Sequence, residues 1–451
     1  MPRDLALQVL NRLDLSPAFP DRDLERAFQQ KPNFAERDRA FAMHLVQGVL
    51  RWRLRLDWII QESLRFSFDK IDPPILNILR IGVHQIFFMD RVPDAAAVDE
   101  AVNQAKAIGR RHVVGTVNGI LRNICRRKDQ VCFPRREADP IGYLSVYYSY
   151  PVWLVEKWIK ELGTDAAEHL LEAGNEIPPL VVRTNTQRVD RVRLIRLLKE
   201  EGVMGRPTSY SPEGIRIDGL KGSVTRLKSF QGGLFQVQGE AAQISSHLLF
   251  AGPGEAILDL CAGLGGKSTH LAQLTGCRAR IVALDINHGR LVRLSQSSRR
   301  LGISSIEPVA GDAGNHSSHL FRGTFDKILI DGPCSGLGVI SRHPDGKWSR
   351  DENDIRRLAQ LQKDILNQAV PLLRKGGTML YVTCTLSKEE NEGVVKDFLR
   401  ENSGMAVEDL RDLAPAWCTG LIDDHGFFKT FPHIHKMEGF FGALFTKRNT
   451  R

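Results

Sequence analysis

The chain has 451 residues, of which 42% are hydrophobic and 25% are charged, a composition typical of globular proteins with more than one domain. No apolar run reaches the roughly 18 residues that a membrane span requires, and the amino-terminal stretch lacks the apolar segment of a signal peptide. We therefore expect a cytoplasmic protein. Lys and Arg outnumber Asp and Glu by 62 to 53, and the resulting net charge of +9 favours a polyanionic partner.

Cysteine usage argues against both a disulfide framework and a zinc site. The chain has seven cysteines, an odd number, and no secretion signal. Six residues separate Cys125 from Cys132, and no second cysteine pair or cysteine–histidine cluster has the spacing of zinc ligands. The sequence therefore predicts no metal site.

Residues 1–140 carry apolar side chains at three- and four-residue steps, which is typical of amphipathic helices. This pattern predicts an all-α first domain. Basic residues are spread through it, and they form either an ordinary solvated face or a surface that docks RNA or protein. They are Arg51, Arg53, Arg55, Arg110, Arg111, Arg126, Arg127 and Lys128.

The middle of the chain changes pattern after a polar, proline-containing linker at 125–140. Residues 145–240 mix strand-like runs such as PLVVRTN with helical runs such as DRVRLIRLLKEEG, and we predict a small α+β domain there. From about 254, short apolar runs alternate with helical segments, which predicts a Rossmann-like α/β domain over 241–451.

Polar and sulfur-bearing residues stand where the predicted strands of this last domain end. Ligands of such sheets bind at the carboxyl ends of the strands, so these residues are expected to meet in one crevice. They are Asp259 to Cys261, Asp285, Asp312, Asp331 to Cys334, and Cys384.

The stretch LDLCAGLGGKST at 258–269 has the look of a phosphate loop but fails its pattern. A Walker loop requires glycine where Cys261 stands, and a dinucleotide fingerprint requires glycine where Ser268 stands. The Gly263–Gly266 turn, followed by Asp285 after the next strand, instead suits a nucleoside. With Asp312 placed to bind an adenine amino group, the set points to S-adenosylmethionine.

Two cysteines at neighbouring strand ends suggest methylation at C5 of a pyrimidine. That carbon becomes nucleophilic when a thiolate adds at C6, and Cys334 and Cys384 are the candidates. Cys384 precedes a predicted helix, in which Ser387 and Glu390 form a capping-box pair, and a helix N-terminus favours the thiolate. Asp331 is placed to bind the N3/N4 edge of a cytosine. For a single cysteine, inert packing in the core is the ordinary alternative.

These motifs resemble the NOL1/NOP2/Sun RNA (cytosine-5) methyltransferase family, and more narrowly its bacterial Sun-type (RsmB-type) branch, which acts on 16S rRNA. The first third resembles a NusB-like RNA-binding domain, and the middle third resembles the family's small RNA-recognition-like domain. RHPDGKW at 342–348 and PHIHKMEGFFGALFTKR at 432–448 resemble the bacterial branch.

The resemblance implies a role for each matching residue. It implies that Cys384 is the nucleophile and that Cys334 assists release of the methylated product. S-adenosyl-L-methionine is the implied cofactor. Its implied contacts are Cys261, Ala262, Gly263, Leu264, Gly265, Gly266, Lys267, Asp285, Asp312 and Asp331.

The chain departs from the family pattern at several positions. Gly263 and Leu264 replace Ala and Pro in the cofactor loop, and loss of the proline removes a fixed φ. Gly332 replaces Ala, Gly239 replaces Asp, and Glu438 replaces Asp. Gly239 puts a local polar contact and the cofactor affinity in question.

Three other functions compete with methylation of 16S rRNA by a monomeric enzyme. The same chemistry on tRNA is the first, and a non-catalytic RNA-binding assembly factor with a vestigial pocket is the second. A nucleotide hydrolase acting through Lys267 is the third, and the missing Walker glycine speaks against it.

Overall fold

The computed structural model describes residues 1–15, 20–30, 33–109, 111–220, 222–315, 321 and 323–449, leaving aside the side chains of residues 111 and 112. By their contacts these residues form two compact units. The helical unit comprises Met1–Glu176 and Ile340–Ser349, and the sheet unit comprises Ile177–Val339 and Arg350–Arg451.

The helical unit is built from amphipathic helices around one apolar core, as the periodicity predicts. Its helices are α1 (Pro2–Leu15), α2 (Pro20–Gln30), α3 (Glu36–Gln61), α4 (Pro73–Phe88), α5 (Asp94–Ala107), α6 (Arg111–Arg126), α7 (Pro140–Tyr148), α8 (Val152–Leu162) and α9 (Thr164–Asn175). The helical unit extends to Glu176, beyond the start of the predicted middle domain at residue 145, because α8 and α9 pack with the helical unit. The predicted domain limits remain a prediction.

The segment Ile340–Ser349 belongs to the helical unit although the chain enters it from the sheet unit. Lys347 is fully buried, and its Nζ donates to Arg51 O at 3.0 Å, Ser149 O at 3.1 Å and Asn175 Oδ1 at 2.6 Å. The indole Nε1 of Trp348 donates to Leu50 O at 2.6 Å. The RHPDGKW motif therefore completes the interior of the helical unit.

The basic residues of the first third do not form one solvated face. Arg51 is 6% exposed and donates to Ser341 O at 2.5 Å, and the Arg55 guanidinium lies 4.3 Å from the ring centre of Tyr147. Arg126 and Arg127 are exposed, whereas Arg110 lies outside the described residues.

The sheet unit begins with a four-stranded antiparallel sheet in the order β2-β3-β1-β4. Its strands are β1 (Leu180–Thr184), β2 (Met204–Pro207), β3 (Gly214–Asp218) and β4 (Phe235–Val237), and its helices are α10 (Arg191–Glu200) and α11 (Lys228–Gln231). The strands and helices form one apolar cluster that includes Val182, Leu198 and Phe235. This arrangement matches the α+β pattern predicted for the middle of the chain.

A second, larger sheet has the order β10-β12-β9-β8-β5-β6-β7, with β11 paired to β12. Its strands are β5 (Ala256–Asp259), β6 (Arg280–Asp285), β7 (Ile306–Ala310), β8 (Phe325–Asp331), β9 (Leu373–Thr383), β10 (Met405–Val407), β11 (Phe428–Thr430) and β12 (Phe440–Lys447). The helices that accompany it are α12 (Glu240–His247), α13 (Gly266–Leu274), α14 (His288–Leu301), α15 (Glu352–Ala369), α16 (Val394–Glu401), α17 (Leu410–Leu413) and α18 (Pro432–His435).

Strands β5 to β9 are parallel, and β12 pairs antiparallel with β9. The chain runs from β5 outward to β6 and β7 and then returns to β8 on the other side, so the strand order reverses at β5 and β8. Ligands of open α/β sheets bind at such a reversal, outside the carboxyl ends of the strands. Within the described part of the chain, no helix is both long and apolar enough to cross a membrane.

Candidate active site

The predicted cofactor loop joins the end of β5 to the start of α13. Gly263 has φ +56° and Gly265 has φ +78°, both in the left-handed region that favours glycine. A Cβ on Gly265 would overlap Leu294, whereas one on Gly263 would project into open space. The loop closes without the family's proline, because Gly265 N donates to Ala262 O and Ala262 N donates to Leu284 O, both at 2.9 Å.

Asp285 fixes this loop from the end of β6. Its Oδ2 accepts from Gly263 N at 2.8 Å, and its Oδ1 accepts from Asn287 N at 2.7 Å. Asp312 follows β7, is exposed, and accepts from Gly314 N at 2.9 Å. The two aspartates therefore stand at the carboxyl ends of neighbouring strands, as predicted.

Lys267 forms an ion pair with Asp331, whereas the lysine of a Walker loop binds phosphate. Lys267 is buried, and its Nζ lies 2.5 Å from Asp331 Oδ2 and 5.2 Å from the ring centre of Phe440. Ser268, which stands in the Walker serine position, donates to Asp259 Oδ2 at 2.7 Å. Both polar groups of the Gly-Lys-Ser run thus have carboxylate partners, which argues against the nucleotide hydrolase.

The loop fits a nucleoside with a charged tail. The open space at Gly263 lets a ligand approach the backbone, and the carboxylates of Asp285 and Asp312 suit hydroxyl and amino groups. Ile286 follows Asp285 and is 72% exposed, and Leu264 is 51% exposed, so apolar surface is available for a ring. The residues present are therefore compatible with S-adenosyl-L-methionine. Burial raises the pKa of the Cys261 thiol well above its usual value, so this residue stays protonated.

The two candidate thiols lie together. Cys334 Sγ and Cys384 Sγ are 3.3 Å apart, after the ends of the adjacent parallel strands β8 and β9. Gly332 N donates to Val382 O at 2.9 Å, and Gly338 N donates to Cys384 O at 3.0 Å, so backbone bonds hold both loops in register. The hydrogen bond with Cys384, together with burial, raises the pKa of the Cys334 thiol well above its usual value.

The capping box predicted for Ser387 and Glu390 is wrong. The helix after Cys384 starts with a π turn at Glu389–Gly393 before α16, and this turn directs Glu390 into the interior. The Ser387 hydroxyl instead donates to Glu389 Oε2 at 2.7 Å. Glu390 Oε1 accepts from Ser335 N at 2.8 Å, and Oε2 accepts from the Ser335 hydroxyl.

Glu390 joins the two thiol loops, and sequence reasoning missed this role. Ser335 follows Cys334, and Thr385, which follows Cys384, donates to Glu390 Oε2 at 3.3 Å. Gln362 on α15 donates to Glu390 Oε1 at 3.0 Å and to Pro333 O at 2.8 Å. Burial raises the pKa of Glu390. The run KEENE is so charged that it indicates a solvated face, and nothing in it signals a buried carboxylate.

Two departures from the family pattern meet in space. A Cβ on Gly239 would overlap the carboxylate of Glu438, which lies just before β12. The longer Glu438 side chain thus occupies volume that an aspartate at position 239 would need. A carboxylate therefore remains at the start of α12, supplied from the other end of the domain. A Cβ on Gly332 would lie 3.3 Å from Tyr381 Cε2 and 3.4 Å from Gln362 Cγ, so an alanine there requires the Tyr381 ring to shift by a few tenths of an ångström.

Three family models match successive parts of the chain. Residues 1–126 match the NusB family, and residues 150–223 match the ferredoxin-like domain of RsmF/B-like methyltransferases. Residues 247–446 match the model described as 16S rRNA methyltransferase RsmB/F.

Curated relatives match the chain over nearly its whole length. The probable ribosomal RNA small subunit methyltransferase B of Bacillus subtilis is 31% identical, over 99% of this chain and 98% of its own. The probable enzyme of the same name from Synechocystis is 33% identical, over 99% of both chains. Ribosomal RNA small subunit methyltransferase B of Escherichia coli is 33% identical, over 93% of this chain and 92% of its own.

Solved structures agree with this placement. The crystal structure of PH0851 matches with a TM-score of 0.81 and 26% identity, over 99% of both chains. NSun6 from Pyrococcus horikoshii matches with a TM-score of 0.60 and 25% identity, over 67% of this chain and 100% of its own. The chain therefore belongs to the ribosomal RNA small subunit methyltransferase B family and is an S-adenosyl-L-methionine-dependent rRNA methyltransferase.

Proposed function

We propose that the protein methylates C5 of a specific cytosine in 16S rRNA through a covalent bond between Cys384 and C6 of the ring. The observation that carries this proposal is the pair of thiols, 3.3 Å apart at the ends of β8 and β9 beside the cofactor loop. The names of the relatives support the choice of small-subunit rRNA.

The two thiols have different roles: Cys384 attacks the base, and Cys334 remains a protonated thiol beside it. The raised pKa of Cys334 keeps that thiol protonated, so its S–H is available as a hydrogen-bond donor to Cys384 Sγ, 3.3 Å away. The Cys384 thiolate adds to C6, which makes C5 a nucleophile. When bound, S-adenosyl-L-methionine supplies an electrophilic methyl group. After transfer, the C5 proton passes to solvent, the electrons of the C5–H bond re-form the C5–C6 double bond, and the bond between Cys384 and C6 breaks, so that the sulfur leaves beside the Cys334 thiol.

Asp331 orients the cytosine during this sequence. Lys267 holds its Oδ2 at 2.5 Å, and the Asp331 side chain remains 34% exposed. The fixed carboxylate accepts a hydrogen bond from the N3/N4 edge, which stabilises the ring once C6 has been attacked. The cofactor contacts proposed from the family are Cys261 to Lys267, Asp285, Asp312 and Asp331.

Replacing each thiol tests the assignment. Cys384→Ala should abolish methyl transfer to 16S rRNA while leaving binding of S-adenosyl-L-methionine intact, because the loop that binds the cofactor is unchanged. Cys334→Ala should slow release and accumulate a covalent protein–RNA adduct, seen as a slowly migrating band. Cys132→Ala, which removes an exposed thiol of the helical unit, is the matched control. Normal turnover by Cys384→Ala would exclude it as the nucleophile.

The substrate is tested with labelled methyl groups. Purified protein is given unmethylated 16S rRNA, tRNA and duplex DNA in parallel, and the labelled position is mapped. Label at C5 of cytosine in 16S rRNA alone supports the proposal. Label in tRNA would keep the proposed chemistry but show that tRNA, and not 16S rRNA, is the substrate. If none of these nucleic acids is labelled, the assay is repeated with partly assembled small subunits. If those also remain unlabelled, the non-catalytic assembly factor becomes the favoured function. We expect the protein to be a monomer and to work in the cytoplasm. Sedimentation measures the oligomeric state, and cell fractionation measures the localisation.

A further inference from the structure

Three metal-binding side chains meet in the sheet unit away from the thiols. Glu213 lies in the turn before β3, His247 ends α12, and His270 lies within α13. Glu213 Oε2 is 3.0 Å from His247 Nε2 and 3.9 Å from His270 Nε2. One donor atom from each residue can be chosen so that all three lie within 4.8 Å of one another.

The imidazole of His270 is buried with both ring nitrogens unsatisfied, as far as the described part of the chain shows. Its side chain is 1% exposed, and neither ring nitrogen has a hydrogen-bond partner among the residues that the structure describes. Buried polar groups are nearly always paired, and an unpaired one costs about 1–3 kcal/mol. Burial also lowers the pKa of His270 well below its usual value, which leaves the imidazole neutral. A neutral imidazole is the form that binds a metal.

We propose that Glu213, His247 and His270 bind one divalent transition-metal ion of the zinc class. Two imidazole nitrogens and one carboxylate oxygen are a ligand set that Zn²⁺ takes in proteins, with bonds of roughly 2.0–2.2 Å. A tetrahedron on such bonds has edges of about 3.3 Å, between the observed separations of 3.0 and 3.9 Å. The ion replaces the proton shared by His247 Nε2 and Glu213 Oε2, and that proton leaves to solvent or to Nδ1.

Solvent access and charge are both compatible with an ion at this place. His247 is 16% exposed and Glu213 is 12% exposed, so water can reach a fourth coordination position. The guanidinium of the nearby Arg183 donates to neutral acceptors on Gly266, Thr269 and Gln273. Burial opposes ionisation of Glu213, but the hydrogen bond from His247 and the charge of Arg183 lower its pKa, so the carboxylate is ionised and can bind the ion.

The ion would join three elements of the sheet unit. Glu213 comes from the turn that joins β2 to β3 of the small sheet, whereas His247 and His270 come from the helices beside the large sheet. Helix α13, which carries His270, begins at the cofactor loop. We therefore assign the ion a structural role that fixes the small sheet against α12 and α13, without a part in methyl transfer.

Cobalt binding to the full chain tests the site. The protein is stripped with a chelator and titrated with Co²⁺, whose visible bands are intense in four-coordinate sites. Each titration uses a background with Cys334→Ser and Cys384→Ser, because a close thiol pair also binds such ions. Binding of one Co²⁺ per chain, displaced by Zn²⁺, is expected. The melting temperature of the stripped protein should rise when Zn²⁺ is added.

Ligand variants separate this site from adventitious binding. His270→Phe and Glu213→Gln should each weaken binding by more than about 100-fold, because even outer-shell changes weaken metal sites by roughly 10–100-fold. His84→Phe is the control, since His84 is likewise buried with both ring nitrogens unpaired among the described residues but stacks on Phe88 in the helical unit. Glu213→Gln covers the case in which His270→Phe fails to fold. Absence of stoichiometric binding, or equal binding by wild type and both ligand variants, would overturn the proposal.

Discussion

Glu390 accepts hydrogen bonds from both loops that carry the active thiols, through Ser335 and Thr385. This carboxylate therefore acts as a positioning residue for Cys334 and Cys384. We expect Glu390→Ala to lower kcat by about 100-fold, because a misplacement of about 1 Å has that effect. KM and cofactor affinity should change little, since the cofactor loop is untouched. Single-turnover methylation of 16S rRNA measures the effect.

A conservative variant distinguishes positioning from general destabilisation. Glu390→Gln keeps an acceptor for Ser335 N and should recover most of the lost rate, with the melting temperature followed alongside. Glu389→Ala changes the neighbouring exposed carboxylate and should behave as wild type. Equal methylation rates for Glu390→Ala and wild type would show that Glu390 does not position the two thiols.

Asp259 makes the stability of the protein depend on pH. Burial raises its pKa to about 7, although Ser268 donates to it. An unfolded chain ionises this group near 3.9, so between about pH 4 and 7 the native state binds more protons than the unfolded state. The stability contributed by this group is therefore present at low pH and is lost as the pH rises through that window.

Removal of the ionisable group tests this dependence. Asp259→Asn keeps an acceptor for the Ser268 hydroxyl and removes the cost of a buried charge. We expect the variant to be more stable than wild type by about 1–4 kcal/mol at about pH 8, and by much less at about pH 5. Denaturant unfolding at the two values measures it. A stability difference independent of pH would contradict the assigned pKa.

At the scale of elements, the sequence predicts the strand ends well because their geometry is simple. Parallel strands place their carboxyl ends along one edge, so Asp285, Asp331 and Cys384 could be brought together from the order of apolar runs alone. The helices of the first third and the α+β pattern of the middle of the chain are likewise predictable from periodicity, whereas their likeness to NusB and to an RNA-recognition domain comes from the family resemblance.

The remaining features depend on contacts that no local pattern encodes. The π turn that buries Glu390 follows from tertiary contacts with α15 and the Cys334 loop, whereas the local sequence predicts an ordinary capped helix. Glu213 and His247 are 34 positions apart and lie on different elements, so ligand spacing could not reveal them. The basic residues of α3 looked solvent-facing, yet Arg51 is buried because the segment Ile340–Ser349 contacts it.

At the scale of the whole molecule, the helical unit combines residues from two distant parts of the chain. Its amino-terminal part, Met1–Glu176, is completed by the segment Ile340–Ser349. Residues 1–176 supply the acceptors Arg51 O, Ser149 O and Asn175 Oδ1, and Lys347 supplies their shared donor. Trp348 adds apolar contacts to the same core. A buried acceptor that loses its partner costs about 1–3 kcal/mol, so this unit should not reach its full stability as an amino-terminal fragment.

A fragment of residues 1–176 should therefore bind a synthetic peptide spanning 338–350. We expect the peptide to raise the melting temperature of the fragment in a concentration-dependent way, because ligands that bind only the native state stabilise it. A Lys347→Met peptide keeps the apolar stem but lacks the Nζ donor, so its Kd should be at least about tenfold higher, equivalent to about 1.4 kcal/mol. An Arg342→Met peptide shows how much of the loss follows from removing any basic side chain of the segment, and the loss for Lys347→Met should be the larger one. A fragment equally stable with and without the wild-type peptide would show that the helical unit folds completely before the chain reaches residue 340, and the segment would then be an attachment rather than part of its core.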